Sequence, residues 1–107
     1  MTQRARKRFD QVFAESVVRA LSGILGESCG QALLYYMERT AWQKEPLNPE
    51  VLSEFLGRTF GWGARVIERR ILEVMYSELG STFAEREGYK FADYVNECRG
   101  AEVLTKK

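Results

Sequence analysis

The sequence predicts an all-α fold, a compact bundle of about five helices. Apolar residues recur at spacings of three and four through most of the chain, and glycine or proline separates these periodic segments. No stretch of useful length alternates apolar and polar residues as a half-buried strand would. The 107 residues, 45% hydrophobic and 29% charged, suit one globular domain. We expect a flexible basic arm at residues 1–8, a single helical domain at 9–100 and a polar tail at 101–107.

The first predicted helix runs from about Phe9 to Leu25. Its apolar stripe comprises Phe9, Val12, Phe13, Val17, Ala20, Leu21, Ile24 and Leu25. Val18 lies outside that stripe, so the helix has more apolar surface than one packing partner needs. This width predicts either a central helix or a dimer interface, and it makes Val18 a candidate interface anchor.

The second and third predicted helices flank a connection that contains Pro46. The second helix has Ser28 as its candidate N-cap and ends at about Thr40. Its apolar positions are Cys29, Ala32, Leu33, Tyr36 and Met37. The third begins at Asn48-Pro49-Glu50, where an N-cap residue, a proline at N1 and a first-turn acid coincide, and it ends at about Thr59.

A glycine-rich corner separates the third predicted helix from the fourth. Phe60-Gly61-Trp62-Gly63 interrupts the periodicity and predicts a tight turn. The fourth helix then runs from about Ala64 to Leu79. Gly80-Ser81 ends it and is expected to cap a short turn through Glu87, and the last helix covers about Phe91 to Arg99.

The composition argues against catalysis. The chain contains no histidine, which removes the commonest general base and the commonest metal ligand. Two cysteines, Cys29 and Cys98, are too few for a disulfide framework or a zinc site, and both are expected to be small buried thiols in a reducing cytoplasm. No apolar run is long enough to span a bilayer. We therefore expect a cytoplasmic, non-enzymatic protein without cofactor, metal or membrane association.

Glu68 is the exception on the fourth predicted helix. On a helical wheel it falls in the apolar arc, between Met75 and Leu79, where a carboxylate needs a partner. One interpretation is a structural ion pair with an arginine such as Arg39 or Arg58. The other is a polar pocket that a ligand or a partner's arginine completes.

The corner also has some features of a helix-turn-helix. Gly57 and Gly61 are four residues apart and are flanked by apolar residues, as that motif requires, although Arg70 stands where an apolar residue is wanted. If the motif is real, Arg65 and Arg69 project toward DNA, and Arg58 and the basic arm contact phosphates. The alternative is a helix pair with solvated arginines, with Trp62 as a core residue or interface anchor.

Three segments resemble a known family. The stretch 60–68, Phe-Gly-Trp-Gly-Ala-Arg-Val-Ile-Glu, is similar to the core of a small archaeal helical family, and residues 87–95 and 25–28 resemble its closing segment and first connection. That family occurs alone and as an output domain of signal-transduction proteins, especially in Thaumarchaeota. The resemblance implies an all-helical cytoplasmic domain and provides no catalytic residues.

The leading hypothesis is a non-enzymatic interaction or regulatory domain that forms a homodimer or small homo-oligomer. The alternative is a DNA-binding transcriptional regulator that uses the third and fourth helices. A third class, a small-ligand sensor with its pocket near Glu68, is not separable from the first by sequence.

Overall fold

The computed structural model describes the backbone of residues 2–105 and the side chains of residues 8–100. It confirms the all-α bundle, because the described residues form five helices of twelve residues or more and no strand. The elements are α1 (Thr2–Leu25), α2 (Glu27–Arg39), a one-turn α3 (Ala41–Lys44), α4 (Pro49–Phe60), a 3₁₀ turn (Gly61–Gly63), α5 (Ala64–Glu78) and α6 (Phe91–Thr105).

Helix α1 is the central element of the bundle. It packs against α2, α5 and α6, and its buried face includes Phe9, Phe13, Val17 and Leu21. Three neighbours account for the wide apolar surface seen in the sequence, so α1 is a central helix, and Val18 is itself half-buried. The width of α1 therefore does not require a second copy of the chain.

Both ends of the bundle are more helical than the sequence predicted. Helix α1 begins at Thr2, not Phe9, because neither glycine nor proline interrupts the intervening residues and arginine, lysine and alanine favour helix. The expected arm at residues 1–8 is thus helical from Thr2, and the side chains of its first seven residues lie outside the described residues. Helix α6 extends to Thr105 within the predicted tail, and residues 106–107 lie outside the described range.

The prediction of Ser28 as the N-cap of α2 is wrong. Gly26 occupies that position with φ 93°, a left-handed conformation that favours glycine, and α2 begins at Glu27. Gly30 then lies against α1, where a Cβ would approach the backbone nitrogen of Ser22 to 2.7 Å. The close approach fixes which face of α2 packs on the bundle.

The connection before α4 contains one helical turn, α3, that buries Trp42. Its indole Nε1 donates a 3.0 Å hydrogen bond to the carbonyl oxygen of Asn48. The Asn48 side chain accepts from the N–H groups of Glu50 at 2.8 Å and Val51 at 3.2 Å, which confirms the predicted N-cap. The start of α4 is therefore anchored to the core through Trp42.

The segment between α5 and α6 has no helical turn, contrary to the short turn expected through Glu87. Tertiary contacts hold it instead. The Tyr94 hydroxyl accepts from the Arg86 N–H at 2.7 Å and donates to the Arg86 carbonyl at 3.2 Å. Phe83 packs edge-on against Tyr76 and Tyr94, with ring centroids 5.5 and 5.2 Å apart. These contacts place the segment along one side of α5.

Candidate functional site

The corner between α4 and α5 is built on Gly61. This residue has φ 58°, and its N–H bonds to the carbonyl of Gly57, which ends α4. A non-glycine residue would be strained at that φ, so the sequence places glycine where the chain turns. The following 3₁₀ turn leads directly into α5 and leaves Trp62 at its centre.

Trp62 is 97% exposed, the most exposed of the large hydrophobic side chains in the described part of the chain. Val66, one helical turn further along, is 64% exposed. Tryptophan is enriched at protein interfaces, where its large apolar ring is buried and its N–H finds a partner. The sequence left open whether Trp62 belongs to the core or to an interface, and the structure places it outside the core.

A cleft of about 540 Å³ lies beside this corner, between α4, α5, the segment before α6 and the start of α6. Gly57, Gly61 and Ala64 line it, so small residues leave the space open where the two helices meet. Its charged lining residues are Arg65, Glu68, Arg69, Glu85, Arg86 and Lys90. The cleft brings together Arg65, Arg69 and Glu68, which the sequence assigned to two separate hypotheses, and it does not include Arg58.

Glu68 is half-buried in the wall of this cleft, and its partner is a hydroxyl group. The Oγ of Ser53 donates a 2.5 Å hydrogen bond to Oε2 of Glu68. The expected ion pair with Arg39 or Arg58 is absent among the described side chains. Arg58 lies 3.7 Å from Glu54, and Arg39 stacks over the Tyr35 ring at 5.0 Å. Oε1 of Glu68 is consequently available to a bound group.

Two of the cleft's arginines are already paired. Arg69 contacts Glu85 at 3.0 Å and Glu73 at 3.3 Å, and hydrogen bonding to Glu85, then Glu73, raises the pKa of its guanidinium. Arg86 bonds both oxygens of Glu97 at 2.8 Å, which raises the pKa of Arg86 and lowers that of Glu97. These ion pairs hold the cleft wall together, so the two arginines are poorly placed to bind an external anion.

Arg65 and Lys90 differ from those arginines. Both are exposed, both line the cleft, and neither side chain forms an ion pair with the other described residues. The cleft thus offers one unpaired oxygen each of Glu68 and Glu85, as far as the described residues go, and two available cations around an open space. Such a set of groups recognises polar or charged groups of a ligand or a protein segment.

The outer wall of the cleft was not predictable from the sequence. Glu85, Arg86 and Lys90 come from a segment without periodicity, and their partners Arg69 and Glu97 lie on two different helices. The only local signal was the run of alternating charges at 85–87. It does not indicate which helices the segment contacts.

The cysteines lie away from the corner. Cys98 is half-buried on α6, and burial raises the pKa of its thiol, whereas Cys29 is exposed on α2. The expectation that both are buried is therefore wrong for Cys29. Among the described residues, no group of three or more cysteines, aspartates and glutamates has the arrangement of a metal site.

Comparison of the chain with protein-family models, curated proteins and solved structures finds no match. The resemblance to the archaeal output-domain family therefore stays a hypothesis. Within residues 2–105, none of the helices combines the length and the apolar character needed to cross a bilayer.

Proposed function

We propose that this protein is a non-enzymatic interaction domain that self-associates. We also propose that it binds a partner protein, and that this binding uses the surface formed by Trp62 and Val66. The 97% exposure of Trp62 carries the proposal. The resemblance to the archaeal output-domain family supports a role for this binding in cytoplasmic signal transduction.

The position of Trp62 favours binding over accidental exposure. Its flanking glycines belong to a turn fixed by α4 and α5, so little conformational entropy is lost when a partner covers the indole. A tryptophan buries roughly 150–250 Å² in an interface, worth about 4–6 kcal/mol before the cost of association. This is the energy expected of an interface hot spot.

The adjoining cleft supplies the polar part of the same surface. Arg65 and Glu68 follow Trp62 on the first turns of α5 and line the cleft. An apolar anchor beside free polar groups is the usual arrangement of a specific protein interface. A partner segment that covers Trp62 can therefore also bond Arg65 and the free oxygen of Glu68.

Site-specific photo-crosslinking tests this surface. A benzoyl-phenylalanine residue replaces Trp62 in one variant and Ser77, which is exposed near the end of α5, in the control. We expect the first variant to crosslink one protein in cells, and the identified partner to bind Trp62→Ala about 10–100-fold more weakly than wild type. Ser77→Ala should bind as wild type does. Equal crosslinking from both positions, or unchanged affinity of Trp62→Ala, would contradict the proposal.

A DNA-binding regulator is the second candidate. The observation that favours it is the helix pair α4–α5 joined by a glycine turn, with Arg65 exposed on the second helix. Against it, Arg69 is occupied by Glu73 and Glu85, which reduces the positive potential that phosphates require. Its test is a salt-sensitive mobility shift of duplex DNA that Arg65→Ala combined with Arg69→Ala abolishes.

A further inference from the structure

Helix α2 leaves one of its faces uncovered. Cys29, Ala32 and Tyr36 share that face at the spacing of a helix, and all three are exposed, Tyr36 by 57%. The sequence pattern counts the same residues among the apolar positions of this helix. A helix with two apolar faces, one packed and one open, indicates an additional partner.

The other face of α2 is firmly attached to the bundle. Its buried residues are Gly30 and Met37, and the helix packs against α1 and the short α3, with one ring contact from Tyr36 to Phe55 of α4. Because the close approach at Gly30 prevents α2 from rotating, the open face cannot turn inward. The face defined by Cys29, Ala32 and Tyr36 therefore stays in solvent in the single chain.

A shallow groove extends this open face toward α4. The Tyr36 and Phe55 rings lie 6.2 Å apart, and together with Thr40, Ala41, Arg58 and Thr59 they line a space of about 310 Å³. The groove increases the apolar area beyond that of α2 alone. It also provides room for a side chain from a second molecule.

We propose that α2 packs antiparallel against α2 of a second copy, across a two-fold axis close to Ala32. This inference rests on the proposed self-association and assigns the surface that produces it. The pattern of side-chain size is self-complementary in this arrangement. Small residues, Ser28 and Cys29, occupy the first half of α2, and Tyr35 and Tyr36 occupy the second, so each aromatic pair faces the small pair of the other copy.

Charge complementarity supports the same partner. The first turn of α2 is acidic, with Glu27, and its last turn is basic, with Arg39. Antiparallel pairing brings the helix end that carries Glu27 level with the end that carries Arg39 and opposes the two helix dipoles, while Glu27 itself lies on the side of α2 away from the open face. No charged residue lies on the open face between these ends. A parallel pair, in contrast, places like charges together.

The available area sets the expected strength. The thirteen residues of α2 span about 20 Å, so the helix and the groove together provide less than the roughly 800 Å² per partner of a standard interface. We therefore expect a weak, reversible dimer.

Disulfide trapping tests the arrangement in the 107-residue chain. Cys29→Ser and Cys98→Ser provide a background without native thiols, and Ala32→Cys places one thiol at the proposed axis. With diamide as oxidant, we expect this variant to form a disulfide-linked dimer, because position 32 of one copy lies within disulfide range of position 32 of the other. Ser77→Cys, exposed near the end of α5 and away from α2, should stay monomeric and is the control. Equal crosslinking of both variants, or none of Ala32→Cys, would overturn the proposal.

Light scattering after size-exclusion chromatography tests self-association and the α2 interface separately. We expect Ala32→Arg to weaken the dimer more than tenfold and Ser77→Arg on α5 to leave it unchanged, with circular dichroism confirming that both are folded. A wild-type chain that is monomeric at high concentration overturns self-association itself. If the dimer survives Ala32→Arg, self-association holds but its assignment to α2 is overturned. If Trp62→Ala disrupts the dimer, the interface lies at the corner between α4 and α5 instead.

Discussion

The hydroxyl of Ser53 on α4 donates a 2.5 Å hydrogen bond to Oε2 of Glu68 on α5. This bond explains how an acid is accommodated in a position that the helical wheel assigns to the apolar arc. Glu68 does not need an arginine, because the neighbouring cleft keeps it half-hydrated while Ser53 satisfies one oxygen. The pair also joins the two helices that form the glycine corner.

Glu68→Gln should change stability little. The amide oxygen of glutamine can still accept from Ser53, so we expect a loss of less than about 1 kcal/mol in the free energy of unfolding, measured in urea. Ser53→Ala removes the donor and should cost about 1 kcal/mol. If Glu68→Gln also weakens partner binding, the charge acts in recognition. A loss above about 3 kcal/mol would instead identify a structural charge.

Gly30→Ala should destabilise the contact between α1 and α2. A Cβ at this position meets backbone atoms of Ser22 at 2.7 and 2.9 Å, so the helices must separate, at a cost of about 1–3 kcal/mol. Gly23→Ala is the matched control in α1, because no atom lies within 4 Å of its Cβ. We expect that control to stabilise the helix by about 0.5–1 kcal/mol. Equal effects of the two substitutions in urea unfolding would refute the close approach.

Tyr94→Phe should loosen the segment before α6. The substitution keeps the ring against Phe83 but leaves the N–H and carbonyl of Arg86 without their hydroxyl partner, at a cost of about 1–3 kcal/mol. Hydrogen exchange of the Arg86 amide should accelerate. Tyr35→Phe, at an exposed position, should leave both stability and exchange unchanged. Unaltered exchange in Tyr94→Phe would show that other contacts hold the segment.

The ion pair of Arg86 with Glu97 predicts part of the acid sensitivity. Hydrogen bonds from Arg86 and, to a lesser extent, Tyr89 lower the pKa of Glu97 in the folded protein. The contribution of Glu97 to stability is therefore complete above the unfolded pKa of about 4.3. It is lost as the pH falls through the lower pKa of the folded state. We expect Glu97→Gln to reduce the difference in unfolding free energy between about pH 7 and pH 3. The matched control is Glu38→Gln, at an exposed glutamate of α2. An identical pH dependence in Glu97→Gln and wild type would contradict this prediction.

The two tryptophans should be distinguishable by fluorescence quenching. Trp42 is 3% exposed and Trp62 is 97% exposed, so acrylamide should quench the emission of Trp62 and leave that of Trp42 unquenched. The quenched emission should be absent in Trp62→Phe. If the chain dimerises through α2, Trp62 stays accessible at high protein concentration. Quenching that decreases as the protein concentration rises would show that Trp62 is covered by self-association.

Local sequence signals predicted the elements that depend on local physics. Asn48-Pro49-Glu50 marked the start of α4 because capping and the fixed φ of proline act within a few residues. The glycine corner was predictable for the same reason, since Gly61 adopts φ 58°. Ser28 misled the prediction of the start of α2, because the neighbouring Gly26 occupies the cap with a conformation closed to most other residues.

The candidate site was only partly predictable. The wheel identified Glu68 as unusual, but its partner Ser53 is fifteen residues away on another helix. The wall formed by Glu85 and Arg86 depends on contacts with α5 and α6, which no periodicity encodes. Likewise, the pattern of α2 showed which residues are apolar but not that Gly30 directs a different face toward α1.

The sequence by itself determined that this protein is an all-α bundle with a glycine corner beside Trp62, because helical periodicity, caps and glycine conformations are local properties of the chain. Only the tertiary structure decided which surfaces stay open. Burial of Met37 rather than Tyr36, pairing of Arg69 but not Arg65, and exposure of Trp62 all follow from how the helices pack against one another. Packing depends on contacts between distant residues, so it assigns the surfaces available for binding.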